Sequence, residues 1–133
     1  MAANTSPIFP VTPIVGIATL TSATAVTSYA NITGTTGLTQ LTATSTNGTR
    51  IDTISVLGKG STVASKITLW LYNGTTSYVI DEILITAVTF SNTVYEFSAQ
   101  KSYTTLVIPP TYQLFISQTV STDVNVLAYG GQY

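Results

Sequence analysis

Apolar and polar residues alternate with a period of two along most of the chain. Gly, Pro, Asn and Ser break the alternation at intervals of about 8 to 14 residues, the spacing of strands in sandwiches and barrels. The longest unbroken case is Val63 to Tyr72. Val63, Ser65, Ile67, Leu69 and Leu71 share one face, and Ala64, Lys66, Thr68, Trp70 and Tyr72 share the other. That pattern predicts a half-buried antiparallel strand. Further strands are expected over 14–20, 23–30, 38–45, 51–57, 78–85, 94–100, 103–108, 112–120 and 123–129. Asn47-Gly48 marks a tight hairpin, because both residues tolerate positive φ. Asn73-Gly74 turns the chain again, Pro109-Pro110 stops a strand, and Asp81-Glu82 interrupts an apolar run where a bend or bulge is expected. No segment carries a 3.6-residue period. The expected fold is all-β: an antiparallel β-sandwich, jelly-roll-like, of about eight to ten strands. Residues 14–133 form a single sandwich domain. Residues 1–13 are read as an extended N-terminal arm, because Pro7, Pro10 and Pro13 fix φ and remove ladder donors.

Composition sharpens this picture. Charged residues are only 7% of the 133 residues, against about 25% in ordinary soluble domains, while the apolar share is near normal. Small polar residues fill the gap, with 27 Thr and 13 Ser, and β-branched Thr favours strands. No Lys, Arg, Asp or Glu precedes Arg50. Exposed strands are usually guarded against edge-to-edge pairing by charge or proline. A long uncharged stretch of β sequence therefore points to a surface covered by other copies or by another protein. The chain has no Cys and no His, which excludes Cys or His nucleophile–base systems and the usual zinc sites. Four Lys and Arg residues are too few for a nucleic-acid footprint. No apolar run approaches the length needed to cross a bilayer, so no membrane partner is expected. Ile14–Leu20 followed by Ala23-Thr24-Ala25 imitates a secretory signal, but a basic leader is missing and prolines interrupt it. Four Asn-x-Ser/Thr matches, at Asn4, Asn31, Asn47 and Asn73, are what so much Thr produces by chance.

Candidate chemistry is sparse, and the chain is read as a non-enzyme without cofactor or metal. Asp81 and Glu82 are adjacent, so on one strand they face opposite ways and cannot act on one substrate. Gly58-Lys59-Gly60-Ser61-Thr62 lacks the spacing of a phosphate loop. The aromatic residues say more. Trp70 and Tyr72 share the face opposite the aliphatic one, and Tyr78 opens the next strand. Such a face covers a second core layer, anchors a subunit interface or stacks on a sugar. The expected contact residues are Ile8, Phe9 and Val11 in the arm, Trp70 and Tyr72 on that face, and Tyr133 in the Gly-rich tail.

Leu69-Trp70-Leu71-Tyr72-Asn73-Gly74 followed by Tyr78-Val79-Ile80-Asp81-Glu82-Ile83 resembles small structural proteins of tailed bacteriophages. Ile108-Pro109-Pro110-Thr111-Tyr112-Gln113-Leu114 and Asn125-Val126-Leu127-Ala128-Tyr129-Gly130-Gly131 extend the resemblance, which covers residues 63–133. It implies a β-sandwich virion component, of the capsid-decoration or tail type. It also implies self-association as a trimer, contact with other virion proteins, and location in the virion. The alternatives are a carbohydrate-binding or adhesin module using Trp70, Tyr72 and Tyr78 as a glycan platform, and a filament subunit whose N-terminal arm completes a neighbour's sheet.

Overall fold

Alternation needs two layers to bury one face of every strand, and the chain forms two. The computed structural model describes residues 10, 12–21 and 26–133. Its strands are β1 (Thr12–Leu20), β2 (Ile32–Thr33), β3 (Thr39–Gln40), β4 (Thr49–Gly58), β5 (Ser65–Tyr72), β6 (Thr76–Ile85), β7 (Ser98–Ile108), β8 (Gln113–Gln118) and β9 (Val124–Gln132). One antiparallel sheet has the order β1-β9-β4-β7 and the other β2-β6-β5-β8-β3. If the two-residue β2 is set aside, eight strands remain. They pair in the orders first-eighth-third-sixth and second-seventh-fourth-fifth, the strand order of a jelly roll. The all-β sandwich read from the alternation is the fold observed.

The inward faces pack on each other as one apolar cluster. Ala18, Leu20, Ile54 and Val126 of the four-stranded sheet and Ile67, Leu69, Ile85 and Ile116 of the five-stranded sheet belong to one buried cluster. Two glycines allow the backbone to come closer than any side chain would permit. A Cβ at Gly16 would stand 2.3 Å from the Leu41 carbonyl oxygen, and one at Gly130 would stand 1.8 Å from that of Arg50. The first contact brings the end of β3 over β1 and closes one side of the sandwich. The second lies beside the register shift at Ile51/Thr53, where Asp52 of β4 has no opposite residue in β9. The expected bulge near Asp81 is present, one residue early: the β5–β6 register jumps from Leu69↔Asp81 to Trp70↔Val79, leaving Ile80 unmatched.

Several expected boundaries move. Thr12 and Pro13, assigned to the arm, pair with Gln132 and Gly131 at the start of β1. Of the strand expected over 23–30, residues 26–30 form no strand, and 23–25 lie outside the described residues. The strand expected over 38–45 shrinks to Thr39–Gln40, because Leu41 and Thr42 both donate to the Leu114 carbonyl and the chain bends away toward β1. Residues 98–100 of the strand expected over 94–100 join the one expected over 103–108 as a single strand, β7, whose ladder with β4 continues through Lys101-Ser102, while 94–97 belong to the connection before it.

Candidate interaction surfaces

Trp70 stands on the face of β5 that turns away from the core, together with Thr68 and the paired residues Phe115 and Ser117 of β8. That face is nevertheless covered. Trp70 is 0% exposed, and its Nε1 donates to Ser117 Oγ at 2.9 Å. The cover is the connection from β1 to β3, which crosses the sheet from edge to edge. The Val26 N–H donates to the Gln118 carbonyl at one edge, and Ile32 and Thr33 pair with Ser77 and Thr76 at the other. Between them Tyr29 donates to Glu82 and accepts from Lys66, which also forms an ion pair with Glu82 at 3.0 Å. These bonds hold the Glu82 carboxyl below its ordinary range, the Lys66 bond first and the Tyr29 bond second. The Tyr29 and Glu82 bonds raise the Lys66 ammonium.

The expectation that Trp70 is an interface anchor is therefore corrected, since its own chain consumes its whole surface. Tyr72 is half-buried, edge-on to Phe115 with ring centroids 5.6 Å apart. Tyr78 pairs with Leu71 and so shares the face opposite Trp70 and Tyr72. The glycan platform expected from Trp70, Tyr72 and Tyr78 is not assembled. Tyr133 is half-buried at the opposite end of β9, where its N–H donates to the Gly48 carbonyl and its ring lies beside Gly48. Ile8, Phe9 and Val11 lie outside the described residues.

The adjacent acids point opposite ways, as the strand geometry requires. Glu82 joins Lys66 on the outer face, and Asp81 turns to the other sheet. Lys101 Nζ is 2.6 Å from Asp81 Oδ1, and Tyr103 OH donates to Asp81 Oδ2 at 2.7 Å. Burial pushes the Asp81 carboxyl up, but the bonds from Lys101, Tyr103 and the Glu82 N–H outweigh it, and the group stays below the ordinary carboxylate range. Burial first, and the Asp81 carboxylate second, push the Tyr103 phenol far above its usual value. Both acids are thus held ionised by donors of this chain. The Asp81 bonds form a clasp between β6 and β7.

Among the described residues, two groups of exposed apolar side chains stand out. The first is the outer face of the four-stranded sheet. Val15 is paired with Tyr129 and Ile17 with Leu127. Ile17 is 65% and Val15 51% exposed, and Tyr129 is exposed beside them. Neither β1 nor β9 contains a charged residue. The alternation of Val15 and Ile17 was visible in the sequence. What was not visible is that β1 is an edge strand and this face the outward one. The second surface is the end of the sandwich formed by the β6–β7 connection. A tight turn bridged at Ser91 and Val94 lifts Tyr95 to 95% exposure, with Phe90 and Val94 exposed beside it. Sequence reasoning missed this tip because Val94 was taken as the start of a strand.

No protein-family model, no curated protein and no solved structure matches this chain.

Proposed function

We propose that this chain is a non-enzymatic structural subunit of a virion, of the capsid-decoration or tail type, which self-associates and seats on a particle lattice. The observation that carries the reading is the uncharged apolar face of Val15, Ile17, Leu127 and Tyr129, which runs out to an uncharged edge strand. A monomeric surface usually scatters its exposed apolar residues and guards its edges with charge. The jelly roll adds support by analogy alone, since viral shell proteins and lectins both use it. The virion assignment rests on the phage-like motifs between Leu69 and Gly131. On this reading the Phe90–Tyr95 tip is the contact to the particle. The carbohydrate-binding alternative loses its main support with the burial of Trp70.

Sedimentation equilibrium tests the self-association. The full chain is expected as a discrete oligomer at micromolar concentration, and Ile17→Lys, at a position already open to water, as a folded monomer. A wild-type monomer overturns the reading. The virion part is tested separately by mass spectrometry of particles purified on a density gradient. The chain is expected there at a fixed ratio to the main shell subunit, and its absence from intact particles overturns that part.

A further inference from the structure

From the geometry of the four sheet edges we infer that a second copy of this chain pairs along β1, antiparallel and about a two-fold axis at Gly16, joining the two four-stranded sheets into one of eight strands. The inference rests on the self-association reading and adds to it the edge, the register and the symmetry. Edge strands invite pairing unless they are short, charged or irregular. In the five-stranded sheet the edges are β2 and β3, each two residues long, and the part of β6 that β2 leaves unpaired is bulged at Ile80 and carries Asp81 and Glu82. In the four-stranded sheet, β7 carries Lys101, turned inward onto Asp81, and its ladder is broken by a register shift. Only β1 is both long and unguarded. It has nine residues, no charge and, among the described residues, no strand on its far side. Pro13 blunts its first turn of ladder and leaves Ile14–Leu20 open.

Self-pairing fits this strand in three ways. A strand that pairs antiparallel with its own copy does so about a two-fold axis, the commonest closed symmetry of soluble oligomers. Gly16 is the midpoint of Thr12–Leu20, so an axis there overlaps the whole strand. That register sets Val15 opposite Ile17 of the second copy, twice. The two exposed apolar residues of β1 then meet each other on the outer face, while Leu127 and Tyr129 flank them on both sides. With no charged residue in β1 or β9, the approach brings no like charges together. A two-fold contact also differs from the three-fold one implied by the phage resemblance, so the two are separable by experiment.

The chain lacks cysteine, so one introduced cysteine carries one spin label. Labels are placed at Val15→Cys on β1 and at Val107→Cys on β7, both half-exposed on the outer face, and inter-label distances are measured by pulsed dipolar spectroscopy in the full-length protein. The paired edges put the two residue-15 positions about 7 Å apart, as diagonal neighbours across the new ladder. The two residue-107 positions lie seven strand intervals apart across the joined sheet and six residues apart along it, about 39 Å. Short separation at 15 with long separation at 107, at a mass of two chains or a multiple of two, supports the inference. An oligomer whose residue-15 labels are far apart overturns it and leaves self-association standing. Open polymers that vanish when residues 1–11 are removed, with residue-15 labels far apart, overturn it in favour of arm exchange. A monomer by sedimentation overturns both.

Discussion

Thr68 shows how a single atom records the history of a surface. It lies beside Trp70 on a strand face that the β1–β3 connection covers, and its Oγ1 is buried without a hydrogen-bond partner. Other hydroxyls on the same face solve the same problem. Ser117 accepts the Trp70 indole N–H, and Ser77 donates to the Gly34 carbonyl at 2.6 Å. A buried hydroxyl left unpaired forfeits its bonds to water with nothing in return, at a cost of about 1 to 3 kcal/mol. Thr68→Val keeps the branched shape and removes the polar atom. It is expected to raise stability by about 1 kcal/mol, read as a higher urea midpoint at unchanged slope. Ser117→Ala is expected to act in the opposite direction, because it leaves the Trp70 N–H unpaired. A lower midpoint for Thr68→Val would mean that its hydroxyl has a partner after all.

At the scale of elements, the strands were legible in the sequence and their covers were not. The alternation of Val63–Tyr72 becomes β5, and the Asp81 interruption becomes the bulge at Ile80. Period two separates the faces of a strand, and so it separated Trp70 from Ile67 and Leu69. It does not say whether a third layer lies over the outward face. The segment over Trp70 has no period of its own and is held by tertiary bonds such as Tyr29 to Glu82. Close approaches escaped for the same reason. The Gly130-Gly131 pair reads as the end of a strand, yet β9 runs through it, and Gly130 is where β4 bulges against its neighbour. Gly130→Ala sets a methyl 1.8 Å from the Arg50 carbonyl, backbone that cannot swing aside. The expected loss is about 3 kcal/mol, in the range of overpacked cores. Gly74→Ala is the control. Nothing lies within 4 Å of its Cβ position, and its φ of 95° alone costs about 1 kcal/mol. Equal midpoints for the two variants would count against the close approach at residue 130.

Across the whole molecule, the two sheets touch by apolar contact in the core and, among the described residues, by the polar clasp of Asp81 with Lys101 and Tyr103. That clasp ties stability to pH at both extremes. The Asp81 carboxyl titrates lower in the folded chain than in the unfolded one, so its contribution is complete at neutral pH and is lost as the pH falls below about 4. The Tyr103 phenol titrates higher in the folded chain. Its contribution is complete below its ordinary value of about 10 and is lost as the pH rises beyond that. Urea midpoints measured from pH 2 to 11 should therefore give a plateau between two falling limbs. Glu82 titrates on the acid limb as well, held down by Lys66 and Tyr29, so the acid limb alone does not isolate the clasp. Tyr103→Phe does. It deletes the ionising group from the alkaline limb, which should flatten. It also removes one of the three donors that hold Asp81 ionised, so the acid limb, which still begins near the ordinary carboxyl range, should be shallower and level off at a higher pH. Asp81→Asn should weaken the acid limb instead and lessen the alkaline one, because the Tyr103 phenol loses the neighbouring charge while staying half-buried. If Tyr103→Phe left both limbs in place, the sheets would be held by the core alone, and the three groups would be neighbours without consequence for stability.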